Sequence, residues 1–354
     1  MEKREDGAFE MAFLERILEE RGMPSSEQWK MLYQCTMDSD SSVRYDAAEA
    51  LGIRCNDKDE ERLHQMTYDS AGLVDIEAIE SLAMGHQEKT LRRMYELMRL
   101  GGRRVRGYAV STFFNVWINR YGYKKSSAKK CWRKMEKLYK KEKDVWVLNF
   151  YEKARYLCGY KKGIAKLRDI LHENQGYAQS MAFSQLKDIR TIFNEKEING
   201  ILKTALDYTD NLWGIKKSID ELLETRELPR ILLVSKENKG LSQMLEYLSY
   251  KMENEIWVRS AGINPAEEIM DEVREKLGEE EKMKRYYYPK EICSVWIYDF
   301  IVPLGIRIKP EDYPFQRLVP LFEDADERML DVVMAEKMLE ELRDYIYKEM
   351  EQVR

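Results

Sequence analysis

"RILLVSKENKGLSQMLEYL", Arg230 to Leu248, is the stretch on which the fold turns. An apolar run of strand-forming residues leads into a short polar loop, and from Ser242 the apolar residues recur at helical spacing. Strand, loop and helix in that order make a cradle for an anion, because the loop amides and the helix N-terminus face one point. The loop nevertheless contains neither a cysteine nor an arginine.

Downstream, further short β-rich runs, "EIWVRS" at Glu255 and "CSVWIYDF" at Cys293, alternate with helical patterns over Ser242 to Glu253, Ala266 to Lys276 and Glu327 to Glu351. Such alternation predicts a small α/β domain with a mostly parallel sheet, here residues 227–354. Its order, strand, loop, helix and then "VRSAGINP" at Val258, resembles the low-molecular-weight tyrosine phosphatase and arsenate reductase family. The resemblance implies a first loop of the form Cys-x5-Arg-Ser and a second strand ending in Ser-Ala-Gly.

Carried over residue by residue, it puts the nucleophile position on Ser235 and the phosphate-clamping position on Leu241. The loop-bracing positions fall on Asn238 and Ser242, a loop glycine is replaced by Glu237, and the general acid falls on Asp324 of "LFEDADE", followed by Ala325 instead of proline. A thiolate is ionised near neutral pH, whereas a serine hydroxyl without a base is not. A leucine cannot grip an oxyanion in two places as a guanidinium does, and Glu237 adds negative charge. The expectation is a retained fold with a degenerate phosphate loop and no catalytic residue. The strand-loop-helix opening is also similar to the phosphotransfer IIB family, which needs the same missing cysteine.

Toward the N-terminus the texture is helical and repetitive. Val43, Val74 and Val105 are spaced by 31, as are Ala47, Ala78 and Ala109, and Leu51, Leu82 and Phe113. Each triple sits at i, i+4 and i+8, one face of a helix, with a small residue in the middle that lets a neighbour approach. Phe150, Ala154 and Cys158 form a fourth set, and Ala178, Ala182 and Leu186 a weaker fifth. The segment "DSDSSVRYDAAEALG", Asp38 to Gly52, resembles the HEAT repeat. That resemblance implies an α-solenoid over residues 1–226 whose concave face holds a protein partner, in a scaffold, regulatory or immunity-type role.

Charge is uneven. Met1 to Met98 carries 22 acidic against 12 Lys and Arg residues, and Arg99 to Lys143 reverses this to 2 against 15. Arg103, Arg104, Arg106, Lys124, Lys125, Lys129, Lys130 and Arg133 lie there among Tyr108, Trp117, Tyr121, Tyr123, Trp132 and Tyr139, a mixture suited to phosphate contact and base stacking. The simpler expectation is a solvated helix face. The alternative is nucleic-acid binding, whose enzyme version is a HEAT-like alkylpurine DNA glycosylase using Asp144 and Trp146. "KRYYYPKE", Lys284 to Glu291, clusters three tyrosines.

The five cysteines never fall at CxxC spacing and the three histidines are dispersed, so neither a metal site nor a cofactor is expected. With no apolar run of signal-peptide or membrane-spanning length, a cytoplasmic location away from membranes is expected.

Overall fold

A computed structural model describes Leu14 and residues 26–351, apart from 54, 174–175, 209–213, 226, 251–254, 267, 278–291, 293–296 and 314–315. The tyrosine cluster of Lys284 to Glu291 and Cys293 therefore lie outside the described residues. Those residues hold fifteen α-helices and a four-stranded parallel sheet near the C-terminus. No helix among them is long and apolar enough to cross a membrane.

The first helices are α1 (Ser26–Cys35), α2 (Ser41–Gly52), α3 (Asp57–Met66), α4 (Val74–Ser81), α5 (Glu88–Leu100) and α6 (Arg103–Tyr121). They continue as α7 (Lys125–Tyr139), α8 (Val145–Leu157), α9 (Lys162–Glu173), α10 (Tyr177–Asp188), α11 (Glu195–Tyr208) and α12 (Lys216–Glu224). The chain divides into two compact units. One contains the described residues up to Gly122 with Met135–Glu142, the other Tyr123–Lys134 with the described residues from Lys143 onward.

In the first unit the repeated triples fall on alternate helices. Ala47, Ala78 and Ala109 are fully buried on α2, α4 and α6, with α4 packed between the other two. Val105 is only half-buried, whereas Val43 and Val74 are in the core. Because the alanine methyl is the whole side chain at the contact, Ala78→Phe is expected to overpack it by about 1–3 kcal/mol. A urea-denaturation midpoint measures that loss.

The spacing of 31 recurs in polar contacts between helices. Arg62 Nε donates to Thr36 Oγ1 at 2.6 Å and its Nη2 to the Thr36 carbonyl at 3.3 Å. Arg93 makes the same two bonds to Thr67, at 3.1 and 3.0 Å. Both pairs are displaced by 31 residues, as are the threonine hydroxyl bonds to the Tyr33 and His64 carbonyls. One helix-end device is thus used twice, tying a buried threonine carbonyl to an arginine 26 residues further on.

In the second unit, α8 packs on α9 and α10, and the polypeptide then enters β1 (Arg230–Ser235), α13 (Leu241–Ser249), β2 (Trp257–Gly262) and α14 (Asp271–Leu277). It ends with β3 (Phe300–Pro303), β4 (Arg317–Leu318) and α15 (Val332–Glu351). Of the strand expected from Cys293, residues 293–296 lie outside the described residues, and β3 takes up the last residue of the run, Phe300. The helix expected from Glu327 begins five residues later, where the Asp331 carboxylate accepts the Met334 N–H at 2.8 Å and ends the preceding strap.

Strand order is β2-β1-β3-β4, all parallel. The apolar run Ile231 to Val234 is completely buried, as a strand covered on both faces requires. β1 is followed by a neighbour on one side, and the connection after it crosses to the other. The order in which strands are added therefore reverses at β1, and beside its carboxyl end an α/β sheet leaves a crevice.

Candidate functional site

That crevice is occupied by the loop Ser235 to Gly240. Its shape is set from outside: the carbonyls of Ser235, Lys236, Glu237 and Lys239 accept the N–H groups of Ile263, Asn264, Ala266 and Met270, at 2.9–3.0 Å. With its carbonyls so engaged on the β2–α14 side, the loop turns other groups inward. Gly262 permits the close passage, since a Cβ there would lie 3.1 Å from Asn238 Cβ. This gives the Ser-Ala-Gly ending of β2 a physical reason, and Ser260 adds another. Its N–H and Oγ both donate to the buried Glu246 carboxylate of α13, at 2.8 and 2.5 Å.

Inside the loop, Asn238 adopts the left-handed conformation at φ 51°, which asparagine tolerates better than most residues. Its N–H donates to Ser235 Oγ at 2.9 Å and its Nδ2 to Ser242 Oγ at 3.1 Å. Gln243 Nε2 donates to Asn238 Oδ1 at 2.8 Å. Ser235, Asn238 and Ser242 are fully buried. The four positions marked in the sequence thus divide: Ser235, Asn238 and Ser242 form one hydrogen-bonded cluster, and Leu241, 1% exposed, turns into the core.

The cluster closes on a residue that the sequence reading did not single out. Glu327, on the strap between β4 and α15, places Oε1 2.5 Å from Ser242 Oγ, 3.1 Å from Gly240 N and 3.3 Å from Ser235 Oγ. Its carbonyl accepts the Leu241 N–H at 2.8 Å. Side chain and main chain of one residue therefore cap the first turn of α13, whose N-cap, Gly240, has no side chain to do so. The approach needs glycine: a Cβ at Gly240 would sit 2.1 Å from the Glu327 carbonyl oxygen.

The strap is aimed by the end of β3. Gly305 donates its N–H to the Phe322 carbonyl at 2.9 Å, and Leu304 bridges Phe322 in parallel register. Burial pushes the Glu327 carboxyl above its ordinary pKa, against the opposing pull of the Ser242, Gly240 and Ser235 donors. Oε2 is buried without a hydrogen-bond partner.

Asp324 lies on the same strap but is exposed to solvent. Glu237 stands at the outer rim of the loop, its carboxylate paired with Lys239 at 2.6 Å and held below the usual carboxylate range by that ammonium. The negative charge inside the loop comes from Glu327 instead. In sequence, Glu327 lies 85 residues from Ser242 inside an acidic run, so nothing local marks it.

The basic segment is dispersed differently. Lys125, Lys129, Lys130 and Arg133 are exposed on α7, and Arg103 and Arg104 are exposed on α6. Arg106 is taken up by Glu142 at 2.8 Å and Lys124 by Asp312 at 2.7 Å. Of the aromatics, Tyr123 and Trp132 are core residues, Tyr123 donating to the Leu157 carbonyl at 2.9 Å. Asp144 caps α8 through the Trp146 and Val147 N–H groups, and Trp146 is buried against Phe150.

Asp57, Glu60 and His86 bring ligand-type atoms within 4.8 Å of one another. The buried Glu60 carboxylate is already engaged there, accepting the His86 and Gln87 N–H groups and the Thr90 hydroxyl at 2.6–3.0 Å around the start of α5. The Glu60 carboxylate thereby caps the start of α5.

No protein family and no curated protein matches the chain. Among solved structures it is similar to a thioredoxin-dependent arsenate reductase of Corynebacterium glutamicum, at 14% identity over 65% of this chain and 98% of that one, with a TM-score of 0.28. At that score the likeness carries no argument about activity, which rests on the geometry of the loop itself.

Proposed function

We propose that the protein is a non-enzymatic interaction protein, in which HEAT-like helical pairs present a face to a protein partner and the α/β portion is a phosphatase-like scaffold with a silenced loop. The observation that carries the silent-loop reading is Glu327: a carboxylate of the chain itself occupies the point on which the loop donors converge. A phosphoryl or arsenate group would need a nucleophile and a clamp at that point, and Ser235 and Leu241 are buried side chains that supply neither. The recurrence of the Arg62–Thr36 bonds at Arg93–Thr67 supports the repeat reading of the first unit. Stacked repeats of this kind would expose an extended face suited to a partner.

The purified protein is expected to hydrolyse no aryl phosphate and to reduce no arsenate, and Ser235→Cys with Leu241→Arg is expected to remain inactive while Glu327 fills the loop. Turnover by the wild type that disappears in Ser235→Ala would make this an enzyme.

The exposed cations Lys125, Lys129, Lys130 and Arg133 support a second reading, a polyanion surface on α7. With Tyr123 and Trp132 committed to the core, electrostatics would carry such binding more than base stacking. A mobility-shift titration with duplex and single-stranded DNA decides it: absence of a shift at low salt removes the reading.

A further inference from the structure

The loop is built around an anion, and the anion is part of the chain. Gly240 N–H, Ser242 Oγ and Ser235 Oγ converge on Glu327 Oε1, at the N-terminus of a nine-residue helix, where partial positive charge also favours an anion. The three buried polar residues Ser235, Asn238 and Ser242 hold this arrangement through bonds to one another. The carboxylate that completes it is incompletely satisfied: Oε1 receives all the side-chain donors, whereas Oε2 is buried without a partner. A tetrahedral oxyanion offers more acceptor atoms than Oε1 alone.

We propose that Glu327 is a built-in competitor, a carboxylate latch that holds the strap between β4 and α15 against the loop and must leave before the loop can take any external oxyanion. This inference rests on the silent-loop reading and deepens it: the loop is silent because it is occupied, and its donor set survives beneath the latch. The Glu327 main chain belongs to the same latch, since its carbonyl accepts Leu241 N–H and its backbone crosses Gly240 at a distance that no Cβ would permit. An oxyanion of the phosphate class that displaced the side chain would therefore loosen the strap at its attachment to α13.

The test uses the full chain and inorganic phosphate as probe, read by thermal melting and by phosphorus NMR line width. Wild type is expected to show no saturable effect at millimolar phosphate. Glu327→Ala is expected to bind about tenfold more tightly or better, because a bound competitor that must first be displaced weakens apparent affinity by the fraction of time the site is free. Adding Ser242→Ala to that variant is expected to abolish most of the gain, which separates binding in the loop from binding elsewhere on the surface. If Glu327→Ala does not fold, Glu327→Ser, whose side chain is too short to reach the Ser242 and Gly240 donors, decides the point in the same assay. A folded variant that binds phosphate no better than wild type, or whose gain is indifferent to Ser242→Ala, overturns the latch. These outcomes are distinct from wild-type turnover, which would overturn the silent-loop reading itself.

Discussion

Arg190→Met is expected to destabilise the unit that bears the sheet by about 3–5 kcal/mol, the usual consequence of removing one partner from a buried ion pair. The Arg190 guanidinium is completely buried. It donates to Glu227 at 2.8 Å, Glu195 at 2.7 Å, the Thr225 carbonyl at 2.8 Å and Asn199 at 3.0 Å. Its own carbonyl accepts from Arg230, which also pairs with Glu227 at 2.6 Å. Removal leaves two carboxylates with little solvent and too few donors. Arg190→Lys should lose less but not recover wild-type stability, since one ammonium cannot reach acceptors arranged for a planar fork. Urea midpoints of the three proteins measure the ordering, and equal midpoints for wild type and Arg190→Met would refute it.

Asp299, the residue before β3, governs the second large effect, a pH dependence. Burial pushes its carboxyl up to about 7, while the Arg230 N–H bonded to it at 2.8 Å pulls the other way. One carboxylate oxygen has no partner. A raised carboxyl pKa means that the folded state holds the proton more tightly than the unfolded chain does. Stability from this group is therefore fully present below the unfolded value near 4 and is lost as pH rises to about 7. Asp299→Asn is neutral throughout, so its stability relative to wild type should grow by about 2–4 kcal/mol between pH 4 and pH 8. Glu327 and Glu80, also raised by burial, tilt the wild-type curve in the same direction. The difference between variant and wild type isolates Asp299, and a difference that stays flat with pH would mean the carboxylate is ionised in the fold.

The local patterns were legible in the chain alone. Ala47, Ala78 and Ala109 announce the buried face of alternate helices because a helix brings i, i+4 and i+8 onto one side whatever packs against it. Thr36, Thr67, Arg62 and Arg93 carry the same spacing of 31 in the sequence. "ILLV" announces a covered strand, because a continuous apolar run of that length needs both faces of the sheet buried.

What fills the loop after that strand was decided by tertiary structure. Glu327 sits in the run "LFEDADERML", where four acidic residues are locally alike, and only the pinning of Phe322 by Leu304 and Gly305 turns that one carboxylate inward while Asp324 faces water. Likewise the aromatics of the basic segment look interchangeable in sequence, yet Tyr123 and Trp132 face the core while Tyr121 is exposed. Periodicity is a property of the backbone and can be read along the chain. Which of several like side chains meets a distant donor depends on where the chain returns, and that is fixed only when the sheet and its helices have packed.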